Sequence, residues 1–182
     1  MATMFSDYID KNGQPERTIR FCTWGGEEEG LWGSTAYVAE MNQELAENLR
    51  LYINLDMNHV DIDPARGNSV TLFTNHPVDY GHIKSLSEEY LQDNPDMAEK
   101  YSINLGLYDG EKGESNGMPC NSDHCPFVYD LDGGNTIGRA AVCYGSGSWE
   151  YHTYLDEMDR FNEESLGISI TIYSNYMKFL AW

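Results

Sequence analysis

Four short stretches of this 182-residue chain carry side chains suited to chemistry: Glu27-Glu28-Glu29, Asp56, Ser122-Asp123-His124 and Tyr151-His152-Thr153. Carboxylates and imidazoles are the donors that hold metal ions, and they also move protons. Each stretch also has a plainer reading. An acidic triplet suits the first turn of a helix, where the dipole favours negative charge. Asp56 closes an apolar run, where a carboxylate is costly unless a salt bridge or hydrogen bond meets it. A histidine in a loop, such as His152, is more often a surface residue than a ligand. All four fall at the ends of apolar runs or in the loops that follow. In open α/β sheets the functional crevice lies outside the carboxyl ends of the strands, so their joint placement marks a site better than any one of them.

The elements that must position these residues follow from periodicity. Residues 18–24 (TIRFCTW), 49–57 (LRLYINLDM), 69–74 (SVTLFT), 102–107 and 139–144 (RAAVCY) read as strands. Helical spacing covers residues 33–48 through Tyr37, Val38, Met41 and Leu45, then residues 78–91, and a long amphipathic helix at about 162–180. Residues 109–121 are Gly-rich and polar, hence loop, and Ser122 suits the N-cap of a short helix beginning DHCPF. A second polar loop runs from Tyr144 through Tyr151. The alternation predicts an α/β domain with a mixed, mostly parallel sheet flanked by helices, a single domain over residues 1–182.

Composition removes several alternatives. Eleven Lys and Arg against thirty Asp and Glu give a net charge of −19, which disfavours nucleic acid and anionic membrane as partners. No apolar run approaches the length of a membrane span. The N-terminus shows no signal peptide. Cys22, Cys120, Cys125 and Cys143 form no C-x-x-C pair and read as reduced, mostly buried thiols, which makes the cytoplasm the default compartment.

In chain order, WGGEEEGLWGS at 24–34, NLDM at 54–57, SDHCPF at 122–127 and YHTYLDEMD at 151–159 closely resemble the co-catalytic zinc aminopeptidases of metallopeptidase family 28. The group includes leucyl aminopeptidases and aminopeptidase Y, with glutamate carboxypeptidase and glutaminyl cyclase relatives. The resemblance implies a zinc-exopeptidase fold and hydrolysis of N-terminal peptide bonds by metal-activated water. It implies Glu27 as general base, Glu28 and His152 as ligands of one zinc, and Asp56 as a ligand of the other. Tyr151 matches a donor to the tetrahedral intermediate. Asp123 and His124 match residues that support the ligands or line the substrate pocket, while Thr153, Asp156 and Asp159 order the His152 loop. Carboxypeptidase or cyclase chemistry on the same scaffold stays open.

The family pattern also needs a His-x-Asp stretch and a zinc-bridging aspartate upstream of WGGEE. No histidine precedes Glu27, and Asp7 and Asp10 fall at a helix end. His59-Val60-Asp61 has the right letters in the wrong place. The expectation is therefore a peptidase domain incomplete at its N-terminus, with family strands absent, none or one weakly bound zinc instead of two, and no activity alone. Its partners would be a peptide substrate and, through exposed sheet edges, further copies joined by oligomerisation or strand exchange. The alternative is a metal-free, catalytically dead fragment that persists as an oligomer or interaction module.

Overall fold

The computed structural model describes residues 1–63, 65–145 and 150–182. Part of the loop expected between Tyr144 and Tyr151 lies outside the described residues. The elements are α1 (Ala2–Asn12), α2 (Trp32–Glu40), α3 (Asn42–Asn48), β1 (Tyr52–Leu55), β2 (Ser69–Thr74), α4 (Pro77–Asp93), α5 (Pro95–Lys100), β3 (Ser102–Leu107), α6 (His124–Tyr129), β4 (Ala140–Gly145) and α7 (Glu163–Ala181). The sheet order is β1-β4-β2-β3, with β1–β4 and β2–β3 parallel and β2–β4 antiparallel. This is the predicted α/β class.

Strand β4 shows why helices cover both faces. Side chains alternate across a strand. Ala141 and Cys143 join Val70, Leu72, Ile83 and the α7 residues Ile168, Ile172, Tyr173 and Tyr176. Ala140 and Val142 turn the other way, onto Phe73, Met118, Cys125, Val128 and Tyr129. Each fully buried Ile or Leu in these layers contributes about 1.5–3 kcal/mol. Burial in the first layer also pushes the Cys143 thiol up to about 12. The buried Tyr173 hydroxyl is not left unmet, since it donates to the Val142 carbonyl at 2.6 Å.

A buried carboxylate ties the first layer together. Asp79 on α4 accepts a bidentate pair from Arg139 at 2.8 and 2.6 Å, a contact from Arg50 at 3.3 Å, and the Tyr176 hydroxyl. At the start of α7, the Asn162 side chain caps the helix by accepting from Ser165 N at 3.0 Å.

Four expectations need correction. Residues 18–24 form no strand, because among the described residues no neighbour offers them a ladder. They run beside β1 across a groove of about 900 Å³, and β-rich composition without a partner does not make a strand. The helix expected over 33–48 breaks at Met41 into α2 and α3, where the Asn42 side chain bonds Asp130 O at 3.1 Å and Asp132 N at 2.6 Å. The N-cap position of α6 is Asp123, and Ser122 turns its hydroxyl elsewhere. Cys120 and Cys125 form a disulfide with Cα atoms 4.8 Å apart, and Cys22 is exposed, so only Cys143 is the buried free thiol expected. The cytoplasmic default, which rested on reduced cysteines, loses that support. Among the described residues no helix is long and apolar enough to cross a membrane.

Candidate active site

The acidic triplet does not start a helix. It sits in a turn ahead of α2, whose first turn carries no acidic residue. The Glu27 carbonyl accepts from Gly30 N at 3.1 Å and Leu31 N at 2.9 Å. Gly26 and Gly30 have positive φ, and Leu31 shares the left-handed region at φ 59. Such a residue costs about 1–2 kcal/mol when it carries a side chain. Gly33 lets α2 approach this turn, for a Cβ there would meet Gly25 O at 2.8 Å. The turn thereby aims Glu27 inward, half-buried, and leaves Glu28 exposed.

Asp56 lies just beyond β1 at the carboxyl end of the sheet. Tyr52 and Asn54 share its face of the strand, and they build a hydrogen-bonded chain to it. The Trp24 indole N–H donates to the Tyr52 hydroxyl at 2.9 Å, and that hydroxyl donates to Asn54 Oδ1 at 3.1 Å. Asn54 Nδ2 then donates to Ser122 Oγ at 2.9 Å, and Ser122 Oγ donates to Asp56 Oδ2 at 2.6 Å. The first plain reading of Asp56, a hydrogen-bonded strand-end carboxylate, is thus satisfied on one oxygen. Asp123, buried, accepts from Ser34 Oγ at 2.5 Å. His124 is fully buried; its Nε2 donates to Pro119 O at 2.6 Å, and burial holds its pKa below the ordinary value.

The third segment comes from the loop ahead of α7. His152 Nε2 lies 2.7 Å from Glu28 Oε1, and the Tyr151 and His152 rings stack at 3.8 Å. His152 adopts φ 60, again left-handed for a residue with a side chain. Thr153 orders the turn by bonding Glu150 O from its amide at 2.8 Å and its hydroxyl at 2.5 Å. Asp156 continues the turn through its amide, at 3.2 Å from Thr153 O. Asp156 lines a separate cavity of about 370 Å³ with His59, Met158 and Phe161.

Electrostatics single out Glu27. Burial, then the Asp56, Glu28 and Asp123 carboxylates, raise its pKa above the ordinary value, against a lowering by His152. The Tyr151 phenol is also raised, by burial and then by Glu28, Asp56 and Glu27. The structure therefore brings Glu27, Glu28, Asp56, Asp123, Tyr151 and His152 to one edge of the sheet. Sequence reasoning missed Asn54 and Ser34 as partners. The signal for Asn54 was its spacing of two from Asp56, which places both on one strand face.

A catalytic zinc takes three protein ligands. The resemblance offers Glu28 and His152 for one position and Asp56 for another, and among the described residues no three His, Cys, Asp or Glu side chains gather in a metal-holding group. The residues present do not by themselves fit a catalytic zinc.

A family model described as Peptidase family M28 matches residues 1–177. A "probable leucine aminopeptidase 2" of Aspergillus oryzae is 27% identical over 177 residues, covering 93% of this chain and 34% of the relative. An aminopeptidase of Pseudomonas aeruginosa is 44% identical over 43 residues, 24% of this chain and 8% of that protein. A "probable glutamate carboxypeptidase" of Arabidopsis thaliana is 43% identical over 51 residues, 28% of this chain and 8% of the relative. No solved structure gives a significant match. The chain spans about a third of the length of the Aspergillus protein. With the motifs in order, their residues at one sheet edge, and the match running over nearly its whole length, this chain belongs to peptidase family M28.

Proposed function

We propose that this chain carries the proton-transfer group and part of the ligand set of an exopeptidase centre that hydrolyses N-terminal peptide bonds, and that it is inactive alone. The observation that carries the reading is Glu27, a half-buried carboxylate with a raised pKa among Asp56, Glu28 and Asp123. A carboxylate moved toward neutrality is suited to take a proton from attacking water and return it to the leaving amine. The surrounding carboxylates attract the α-ammonium of a peptide, which favours cleavage from the N-terminus. The Tyr151 phenol stays protonated and offers a hydrogen bond to the developing oxyanion.

Zinc belongs to this reading through the family alone. Glu28 with His152 and Asp56 are the residues assigned to it, and donors beyond these 182 residues are required before any metal step operates. The ligand count favours a second reading, a metal-free remnant, because Glu28 with His152 on one side and Asp56 on the other each fall short of the three protein ligands of a catalytic zinc. The exopeptidase reading takes a peptide as substrate; both readings exclude nucleic acid and membrane as partners and include self-association through the open edge of β1.

The test is zinc stoichiometry of the purified chain after loading and removal of excess metal, alongside hydrolysis of leucine p-nitroanilide. No zinc, or one loosely held, with no hydrolysis is the expected result. Two tightly held zincs with hydrolysis would overturn the claim that the chain is inactive alone.

A further inference from the structure

Asp61 belongs to the His59-Val60-Asp61 stretch, for which the peptidase reading has no use. The structure gives it one. Asp61 and Glu150 are each 1% exposed, and buried carboxylates are retained only with partners. Arg160 bridges the two. Its Nη2 lies 3.0 and 3.3 Å from the Asp61 oxygens, and its Nε lies 2.6 Å from Glu150 Oε1. Asp61 is fixed in turn, since Asp63 N donates to its Oδ1 at 2.7 Å and Asn162 Nδ2 donates to its carbonyl at 3.3 Å.

Glu150 and Arg160 flank the segment that carries Tyr151 and His152. Every residue from 151 to 159 is exposed, so the tip has almost no burial of its own to hold it. Its first turn is tied to the Glu150 carbonyl, which receives both the amide and the hydroxyl of Thr153. His152 nevertheless keeps a left-handed φ of 60 and meets Glu28 at 2.7 Å. Unfavourable backbone persists where the surroundings over-determine it, and here the surroundings lie at the loop base.

We propose that Arg160 is a positioning residue: clamped between Asp61 and Glu150, it closes the base of the 150–160 loop and holds His152 opposite Glu28. The use of His152 in hydrolysis rests on the function proposed above, whereas the clamp itself does not. Two readouts that need neither metal nor substrate test it: NOEs between the His152 ring and the Glu28 γ-protons, and amide exchange of Thr153. Arg160→Met should abolish the NOEs and speed Thr153 exchange about tenfold or more, through local opening. Arg160→Lys should retain part of both. Arg139→Met, which breaks the buried Asp79 pair elsewhere, should lower stability and leave both readouts unchanged.

Wild-type NOEs with Thr153 exchange within about twofold in Arg160→Met would overturn the clamp, as would equal losses in Arg139→Met. If Arg160→Met fails to fold, the combined Asp61→Asn, Glu150→Gln and Arg160→Met variant leaves no uncompensated buried charge. Retained NOEs in that variant would overturn the clamp equally. Two tightly held zincs with hydrolysis, the result that overturns the proposed function, would leave these outcomes readable.

Discussion

The reactive side chains were the most legible part of the sequence, because carboxylate and imidazole types at strand ends narrow the chemistry before any geometry is known. What the letters could not give was which oxygen each partner meets. Ser122 looked like a helix cap and instead donates to Asp56, from 66 residues away in the chain. Glu27 allows a test at this scale. Its folded-state pKa is raised above the ordinary 4.5, so the folded chain binds the proton more tightly than the unfolded one. Stability then falls as pH rises upward from about 4.5, and the ionised carboxylate is destabilising at neutral pH. Glu27→Gln should therefore melt higher than wild type at pH 7, by at most about 2 °C because partly exposed charges couple weakly. The gap should close below pH 4.5. An equal or lower melting point for Glu27→Gln at pH 7 would show that the carboxylate cluster does not strain the fold.

Elements were legible where burial imposes one period along the chain. The strands at Ser69–Thr74, Ser102–Leu107 and Ala140–Gly145 and the long helix α7 lie where the apolar period places them. Two kinds of element were not. Residues 18–24 have strand composition but depend on a neighbour that composition does not report. The break between α2 and α3 depends on Asn42 meeting residues 130 and 132, a contact ninety residues distant. The glycines of the Glu27 turn lie between these cases, since their presence was visible and their purpose was not. Gly33→Ala separates two opposed effects. Alanine is the better helix former by about 1 kcal/mol, whereas its Cβ would press on Gly25 O at 2.8 Å and Gly25 N at 2.9 Å. Backbone atoms yield poorly, and overpacking costs about 1–3 kcal/mol. The clash should win, lowering the urea midpoint and loosening the Glu27 turn. A variant as stable as wild type would mean that α2 can shift without cost.

At the scale of the whole molecule, the decisive feature is an edge. Among the described residues strand β1 pairs with β4 on one side only, and on the other it faces the groove of about 900 Å³ that separates it from residues 16–24. The resemblance implies a further strand at this place. Leu51 and Ile53 line the groove half-buried, and Phe21 and Leu55 stand 48% and 38% exposed. An open strand edge beside apolar surface favours pairing with another chain. Against it stands a net charge of −19 on each copy. That repulsion is long-ranged and is largely screened beyond about 8 Å at 0.15 M salt, whereas strand pairing and apolar contact act at closer range. Association should therefore strengthen as salt rises, the opposite of what an ion-paired interface would do. Sedimentation velocity across protein concentration at low and high salt reads this directly. Wild type should shift toward a dimer most strongly in high salt, and Leu55→Lys, which sets a charge on the edge, should remain monomeric. A wild-type chain that stays monomeric at every concentration and salt would mean that residues 16–24 shield β1 well enough without joining it.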